Sequence, residues 1–449
     1  MASRRSSIHP ELVDRMIAPI VRFLRIQASA GILLLACTIA ALAWANSPWR
    51  ESYDHFWHTD LNVAFGPYSL KMSLAHFVND ALMAIFFFVV GLEIKRELLV
   101  GELASFRKAA MPAVAALGGM AVPALVYTAV HFLTDAEHPE AMRGWAVPTA
   151  TDIAFAVGIL AILGSRVPLA LKVFLTALAI VDDLGAVVVI AIFYTEHIDT
   201  ITLLFAHVVL AASLICNWIG VRTPIVYALL GVVMWLLLLQ SGVHATIGGV
   251  LLALTIPARR RIHGAEFAAF ARRAIQDFER AEAGPGDTMV SHERQDIVHH
   301  IERACEQVQS PQMRIEHALH PWVAFVIMPI FALANAGVPF DAPLGQTLGG
   351  GVGLAVALGL LIGKPVGIVG ATWIAARTGL GILPSGSSWL QILGVACLGG
   401  IGFTMSLFIA QLAFNEVQTL NLAKTGILAG SFTSGVLGSI LLLRAPSRR

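Results

Sequence analysis

Hydrophobic residues along this chain come in long unbroken blocks. They show neither the one-face spacing of a water-soluble amphipathic helix nor the alternation of a half-buried strand. The blocks lie at about 21–45, 74–99, 109–133, 144–164, 168–194, 201–219, 224–240, 243–257, 321–340, 349–376, 388–414 and 424–443. A helix rises 1.5 Å per residue, so roughly 20 apolar residues cross the ~30 Å hydrocarbon core of a bilayer. Lipid offers the backbone no hydrogen bonds, and helices satisfy their own. The pattern therefore predicts an all-α polytopic membrane protein of about twelve transmembrane helices, with helices 1–8 over 21–257 and helices 9–12 over 321–443. Residues 1–20 and 444–449 are left as terminal segments. The first block has no clear small-residue cleavage site and reads as a retained span.

Charge orients these spans. One set of connections holds Arg4, Arg5, Arg15, Lys95, Arg96, Arg107, Lys108, Arg166, Arg222, the Arg259–Arg261 run, Arg377, Arg444, Arg448 and Arg449. The other set holds only Arg50, Lys71, Arg143 and Lys424. Basic residues collect on the cytoplasmic side, and the alternation keeps phase throughout, which predicts that both termini are cytoplasmic.

Two connections are long. Residues 46–73 face outward, and the alternation at Tyr68–Met72 predicts a small β-hairpin. Residues 258–320 face the cytoplasm as a charged amphipathic insert. Phe267, Phe270, Ala271, Ala274 and Phe278 recur at helical spacing, as do Ile297, Ile301, Cys305 and Val308, with AGPGD (283–287) breaking the two runs. His292, Glu293, His299 and His300 resemble a zinc motif only superficially, because Asp296 stands where HExxH needs its second histidine.

Composition agrees with a membrane protein. Charged residues are 13% of the 449, against about 25% in soluble domains, and mean hydropathy is +0.75. A net charge of +1 gives no field for nucleic acid. The four cysteines are scattered and read as reduced side chains rather than a disulfide framework.

Against this background, buried charge is the informative signal. Asp182 and Asp183 are adjacent in the block 168–194, and Asp152 and Lys364 lie in two others. Each such group costs about 2.5–3.5 kcal/mol at a helix centre on insertion scales. Two carboxylates so close and so poorly solvated do not both ionise easily, which makes H⁺ and Na⁺ competitors for the same oxygens. Oxygen ligands suit a hard cation such as Na⁺ or Li⁺. Neighbouring helical residues point about 100° apart. One aspartate should therefore face the ion path, while the other meets an interrupted helix or Lys364.

Two spans are poor material for unbroken helices. The fourth contains Pro148, Thr149, Thr151 and Asp152, and the eleventh contains Gly399, Gly400 and Gly402 before Thr404. Thr404 could cap the helix that resumes. An even number of spans separates the two, so they run oppositely. That predicts an inverted repeat of spans three to five and ten to twelve, with interrupted helices 4 and 11 crossing at the midplane around an ion site. Gly359, Gly363 and Gly367 line one face around Lys364 and permit close helix approach.

The motifs PTATDIAFA (148–156), AIVDDLGA (179–186), VGLEIKREL (90–98), SGVHAT (241–246), EHALHPW (316–322), FALANAGV (331–338), GKPVGI (363–368) and GIGFTMSLFIA (400–410) occur in this order. Together they resemble NhaA-type sodium/proton antiporters from about residue 20 to 440. That family is itself a type case for interrupted-helix transporters, so the two readings are not independent. The resemblance implies a secondary transporter and not an enzyme, without a cofactor, in the bacterial inner membrane. It implies electrogenic exchange of cytoplasmic Na⁺ or Li⁺ for external protons by alternating access. Asp183 would be the primary cation and proton carboxylate, and Asp182 its partner. Asp152 would balance opposed helix ends, Thr151 would be an accessory ligand and Lys364 a competing counter-charge.

The resemblance also implies a pH-sensing cluster, here Glu93, Arg96, Glu97, Glu316, His317 and His320, and a homodimer formed through the 46–73 hairpin. His244 and Asp80 fall in similar motifs with local roles. The insert is longer than the family leads one to expect and enters just before Glu316.

Competing classes fit less well. An organic-anion transporter of similar fold would need a substrate-sized polar cavity that nothing marks. An intramembrane aspartyl protease needs two aspartates on different helices, one in a Gly-x-Gly-Asp setting. A passive channel would be slowed by carboxylates that bind through proton exchange.

Overall fold

The computed structural model describes residues 27–65, 68–195, 198–259, 264–281, 292–340 and 350–445. Segment 1–20, the AGPGD break and residues 446–449 lie outside these. The helices are α1 (Gln27–Ala45), α2 (Arg50–Trp57), α3 (Leu74–Val100), α4 (Phe106–Thr134), α5 (Ile153–Leu163), α6 (Leu169–Phe193), α7 (Thr200–Trp218) and α8 (Pro224–Ser241). They continue as α9 (Ala245–Thr255), α10 (Gly264–Arg280), α11 (His292–Val308), α12 (Pro311–Asn335), α13 (Gly351–Arg377), α14 (Trp389–Gly399), α15 (Phe403–Ala413) and α16 (Val417–Arg444).

Among the described residues, nine helical runs are long and apolar enough to cross a membrane. One of them is α5 with the 3₁₀ run Pro139–Thr149 that leads into it. With α1, the short apolar α9 and the pair α14–α15, bent by 43°, the apolar segments come to twelve, in the order the hydrophobic blocks predict. The chain is a multi-pass membrane protein.

The helix that carries the ninth apolar block begins ten residues before that block, at Pro311. Its first turns, PQMRIEHALH, are polar, and only Pro321 and Trp322 open the apolar block. Glu316, His317 and His320 therefore stand on a helix. Two π-helical turns, Val323–Ile327 and Gly359–Gly363, directly precede Pro329 and Pro365. A proline lacks the N–H its helix expects and crowds the carbonyl four residues back, and a widened turn relieves both.

The chain forms two compact units. The first comprises Met1–Phe86, Glu97–Glu196 and Pro321–Arg449. Within it α4 and α13 approach closely, as the glycine face predicts. A Cβ on Gly363 would lie 2.6 Å from Pro123 Cα, one on Gly359 would lie 2.7 Å from Pro148 Cβ, and one on Gly367 would collide with the Gly118 carbonyl. The expected hairpin is present as β1 (Asp60–Phe65) paired antiparallel with β2 (Tyr68–Ser73), Leu61 opposite Met72. Before it, α2 turns 116° from α1, and Tyr53 Oη donates to the carbonyls of Leu333 (2.9 Å) and Ala334 (3.0 Å).

The second unit comprises Phe87–Arg96 and His197–His320. Ala206, Met234, Leu238, Ala245 and Leu252 form one buried cluster, and Leu92, Tyr227, Ala253 and Ile256 another. With 11 residues, α9 covers about 16 Å and cannot span alone. Its terminal carbonyls still find donors: Lys95 Nζ reaches Leu254 O (2.7 Å) and Ile256 O, and Asn217 Nδ2 reaches Thr255 O (2.7 Å). In the insert, the two runs at helical spacing fall on the helices α10 and α11. They bury Ala274, Ala281 and Ala304, and Arg294 donates to Ala281 O (2.8 Å) while lying 5.1 Å over the Phe278 ring.

Candidate functional site

The two interrupted spans meet at their breaks, inside the first unit. After the 3₁₀ run, Ala150 and Asp152 are extended and Asp152 caps α5, its Oδ1 accepting from Phe155 N at 3.0 Å. Oδ2 of the same carboxylate accepts from Thr404 N at 3.1 Å and from the Thr404 hydroxyl. One aspartate thus serves the first turns of both α5 and α15, where unpaired N–H groups and the positive ends of two helix dipoles converge. Backbone bonds complete the crossing: Asp152 N donates to Ile401 O (2.6 Å), Thr151 Oγ1 to Gly399 O (2.7 Å) and Ser406 Oγ to Val147 O (2.7 Å). A Cβ on Gly400 would meet Leu360 O at 2.5 Å, so the α14–α15 break needs glycine for clearance.

Asp182 and Asp183 sit midway along α6. They are 0% and 1% exposed, with Lys364 at 0% and Asp152 at 1%. Lys364 Nζ lies 2.7 Å from Asp182 Oδ2 and donates also to the Thr149 carbonyl, which the break before α5 frees. Thr151 adjoins the Asp182 carboxylate, although its hydroxyl is committed to Gly399 O. Asp182 Oδ1 is buried with no hydrogen-bond donor in place among the described residues. Asp183 lies within electrostatic reach of the Lys364 ammonium.

The structure thereby resolves what the sequence left open. Of the adjacent pair, Asp182 meets both Lys364 and the interrupted helix. Neither aspartate is open to water, so any exchange with either side requires the surrounding helices to move.

The second candidate group lies in the second unit. Glu316 is 4% exposed, and its Oε1 is bound by Arg96 Nη1. His320 Nδ1 stands 3.5 Å from Glu93 Oε1. His317 Nδ1 bonds the Met313 carbonyl at 2.9 Å and is exposed. Glu97 stands outside this unit.

Asp80 pairs with His76 (2.7 Å), and His244 precedes the first turn of α9. Outside the spans, Asp135 beside His138 raises that imidazole above its ordinary value. Among the described residues, no three His, Cys, Asp or Glu side chains are grouped as a metal centre.

Some contacts around these groups had no sequence signal. Ser431 Oγ accepts from Phe403 N at 3.1 Å, capping α15 from α16. The Thr149 carbonyl offered to Lys364 is a main-chain group that any residue type could supply.

Comparison with known proteins places these features in a family. The profile of the Na⁺/H⁺ antiporter 1 family matches residues 21–442. A protein of Oleidesulfovibrio alaskensis is 50% identical over 433 residues, covering 96% of this chain and 95% of that one. One of Koribacter versatilis is 47% identical over 442 residues, covering 98% and 94%. One of Wolinella succinogenes is 48% identical over 421 residues, covering 94% and 92%. All three bear the name Na(+)/H(+) antiporter NhaA.

Proposed function

The chain belongs to the Na⁺/H⁺ antiporter 1 family, and we propose that it exchanges cytoplasmic Na⁺, or Li⁺, for external protons by letting both compete for Asp182 and Asp183. The observation that carries this reading is a buried pair of adjacent carboxylates with one lysine between them and an interrupted helix. In the proton-loaded state Asp183 is protonated and Asp182 is paired with the Lys364 ammonium. A dehydrated Na⁺ entering between the carboxylates displaces the Asp183 proton. It also neutralises the charge that held Lys364, so the buried ammonium gives up a proton too. Two protons then leave for each Na⁺ that binds, and one net charge moves per cycle.

Asp152 ties α5 to α15 through this cycle, because Phe155 N, Thr404 N and the Thr404 hydroxyl at two helix ends all bond its carboxylate. The crossing of α5 and α15 can then rock as a unit around the aspartates, exposing them to one side and then the other. Thr151 is placed to complete a cation shell if its hydroxyl leaves Gly399 O.

The group Glu93, Arg96, Glu316, His317 and His320, with Glu97 nearby in sequence, regulates this exchange by pH. Histidines among carboxylates change charge in the neutral range. The protein works in the bacterial inner membrane with both termini cytoplasmic, as a homodimer through the β1–β2 hairpin.

The test is pH-jump fluorescence in proteoliposomes with Na⁺, Li⁺ or K⁺ added. The unmodified protein should dissipate a proton gradient with Na⁺ and Li⁺ but not K⁺, and Asp183→Asn should dissipate none. Full activity of Asp183→Asn would remove that carboxylate from the mechanism.

A further inference from the structure

Three carboxamides close a ring between the ends of three helices in the first unit. Asn79 Nδ2 donates to Gln411 Oε1, Gln411 Nε2 donates to Asn335 Oδ1, and Asn335 Nδ2 donates to Asn79 Oδ1 at 2.8 Å. Each amide gives one hydrogen bond and takes one, so the cycle is complete without water. Asn335 is buried, with its second N–H spent on Phe331 O at 3.0 Å, and the other two amides are half-buried. The ring stands near the start of α3 and near the ends of α12 and α15. By the charge alternation, all three ends face outward.

Its height above the ion site follows from helix geometry. Gln411 is seven residues beyond Thr404, which holds Asp152. Seven residues are close to two turns, so both side chains share one face of α15, about 10 Å apart. Between the two levels, Phe408 lies edge-on to Phe331 with centroids 6.4 Å apart, and both rings are buried. Asn335 stands one turn beyond Phe331 on α12. A cation leaving the carboxylates along this face of α15 therefore meets the amide ring before it meets outside water.

From this geometry we infer that the Asn79–Asn335–Gln411 ring is the outer gate of the ion route. The chemistry suits a gate that must open as often as it closes. A closed ring gives each amide one bond as donor and one as acceptor without stranding a charge. When α15 swings from α3 and α12, the freed amide oxygens face water or a passing Na⁺, for which they are hard ligands. An ion pair here would hold too tightly, and an apolar plug would offer the cation nothing. The inference rests on the exchange reading above, and its test separates the two.

In a background with the four native cysteines replaced, Asn79→Cys and Gln411→Cys are combined and joined by a short bis-methanethiosulfonate linker. The joined protein in proteoliposomes should exchange at least tenfold more slowly than the same double variant after reductant has cut the linker. Linked protein that exchanges at the reduced rate would overturn the gate. Absence of exchange in the cysteine-free parent would instead count against the exchange reading alone. Should the reduced double variant be inactive, Gln411→Leu decides. Labelling of Phe408→Cys from the outer face by a membrane-impermeant thiol reagent should quicken at least fivefold in that variant, and an unchanged rate would refute the gate.

Discussion

Replacing Lys364 with methionine keeps most of the side-chain volume and removes the charge that faces Asp182 Oδ2 across 2.7 Å. Both partners are fully buried, so solvent screens little of their interaction. Breaking such a pair costs about 3–5 kcal/mol when the remaining charge stays uncompensated. Asp182 can escape part of that cost by taking up a proton. The folded variant then binds a proton that the unfolded chain, with an ordinary carboxylate, does not bind at neutral pH. Stability must therefore fall as pH rises, by about 1.4 kcal/mol per unit for one proton.

Asp182→Asn gives the mirror image. The stranded lysine sheds its proton in the fold and regains it on unfolding, so that variant gains stability as pH rises with the same slope. The double variant strands neither charge. It should add no pH dependence to that of the unmodified protein and be more stable than the less stable single variant at every pH. Thermal unfolding of the four proteins in detergent at pH 6, 7.5 and 9 reads all three signs. Parallel pH dependence in the two single variants, with additive losses in the double, would refute the account of this pair.

Further outcomes follow from the same structure. Asp152→Ala removes the cap of two helices and leaves the Thr404 hydroxyl without its acceptor, at about 1 kcal/mol per cap and 1–3 kcal/mol for the stranded group. Asp152→Asn should lose less, and equal melting temperatures for the two would contradict the double-cap role. Gly363→Ala places a methyl group 2.6 Å from Pro123 Cα. It should destabilise by about 1–3 kcal/mol through forced separation of α4 and α13, which a melt identical to the parent would exclude. Glu316→Gln weakens the pairing with Arg96, and exchange rate against pH should shift its onset while the maximal rate holds. An unmoved onset would leave this cluster a structural strut. Deleting residues 60–73 should convert a dimer to a monomer in sedimentation, and a persistent dimer would place the interface elsewhere.

Hydropathy made most of the fold legible because lipid imposes both length and apolarity on each span. It says nothing of where a helix begins ahead of its apolar block, as at Pro311–His320, whose charged turns open α12. The breaks were legible too. Pro148 and the glycines before Thr404 weaken helices by their own backbone chemistry, and Asp152 stood out as a charge in an apolar block. What the sequence did not determine was pairing. Thr404 looked able to cap its own helix, but its hydroxyl and amide both go to Asp152, 252 residues away. Lys364 could have met either aspartate, because the side it meets depends on how α13 crosses α6. The amide ring has no sequence signal, since Asn79, Asn335 and Gln411 are ordinary polar residues joined across 256 and 332 positions.

Sodium affinity measured against acidity tests the core of this account most directly. Isothermal titration of the purified protein with NaCl from pH 6 to 9 should give an apparent Kd that weakens steadily as protons become more abundant, with protons released into the buffer on each injection. A Kd constant across that range, with no proton release, would mean that hydrogen ions and sodium do not share these oxygens.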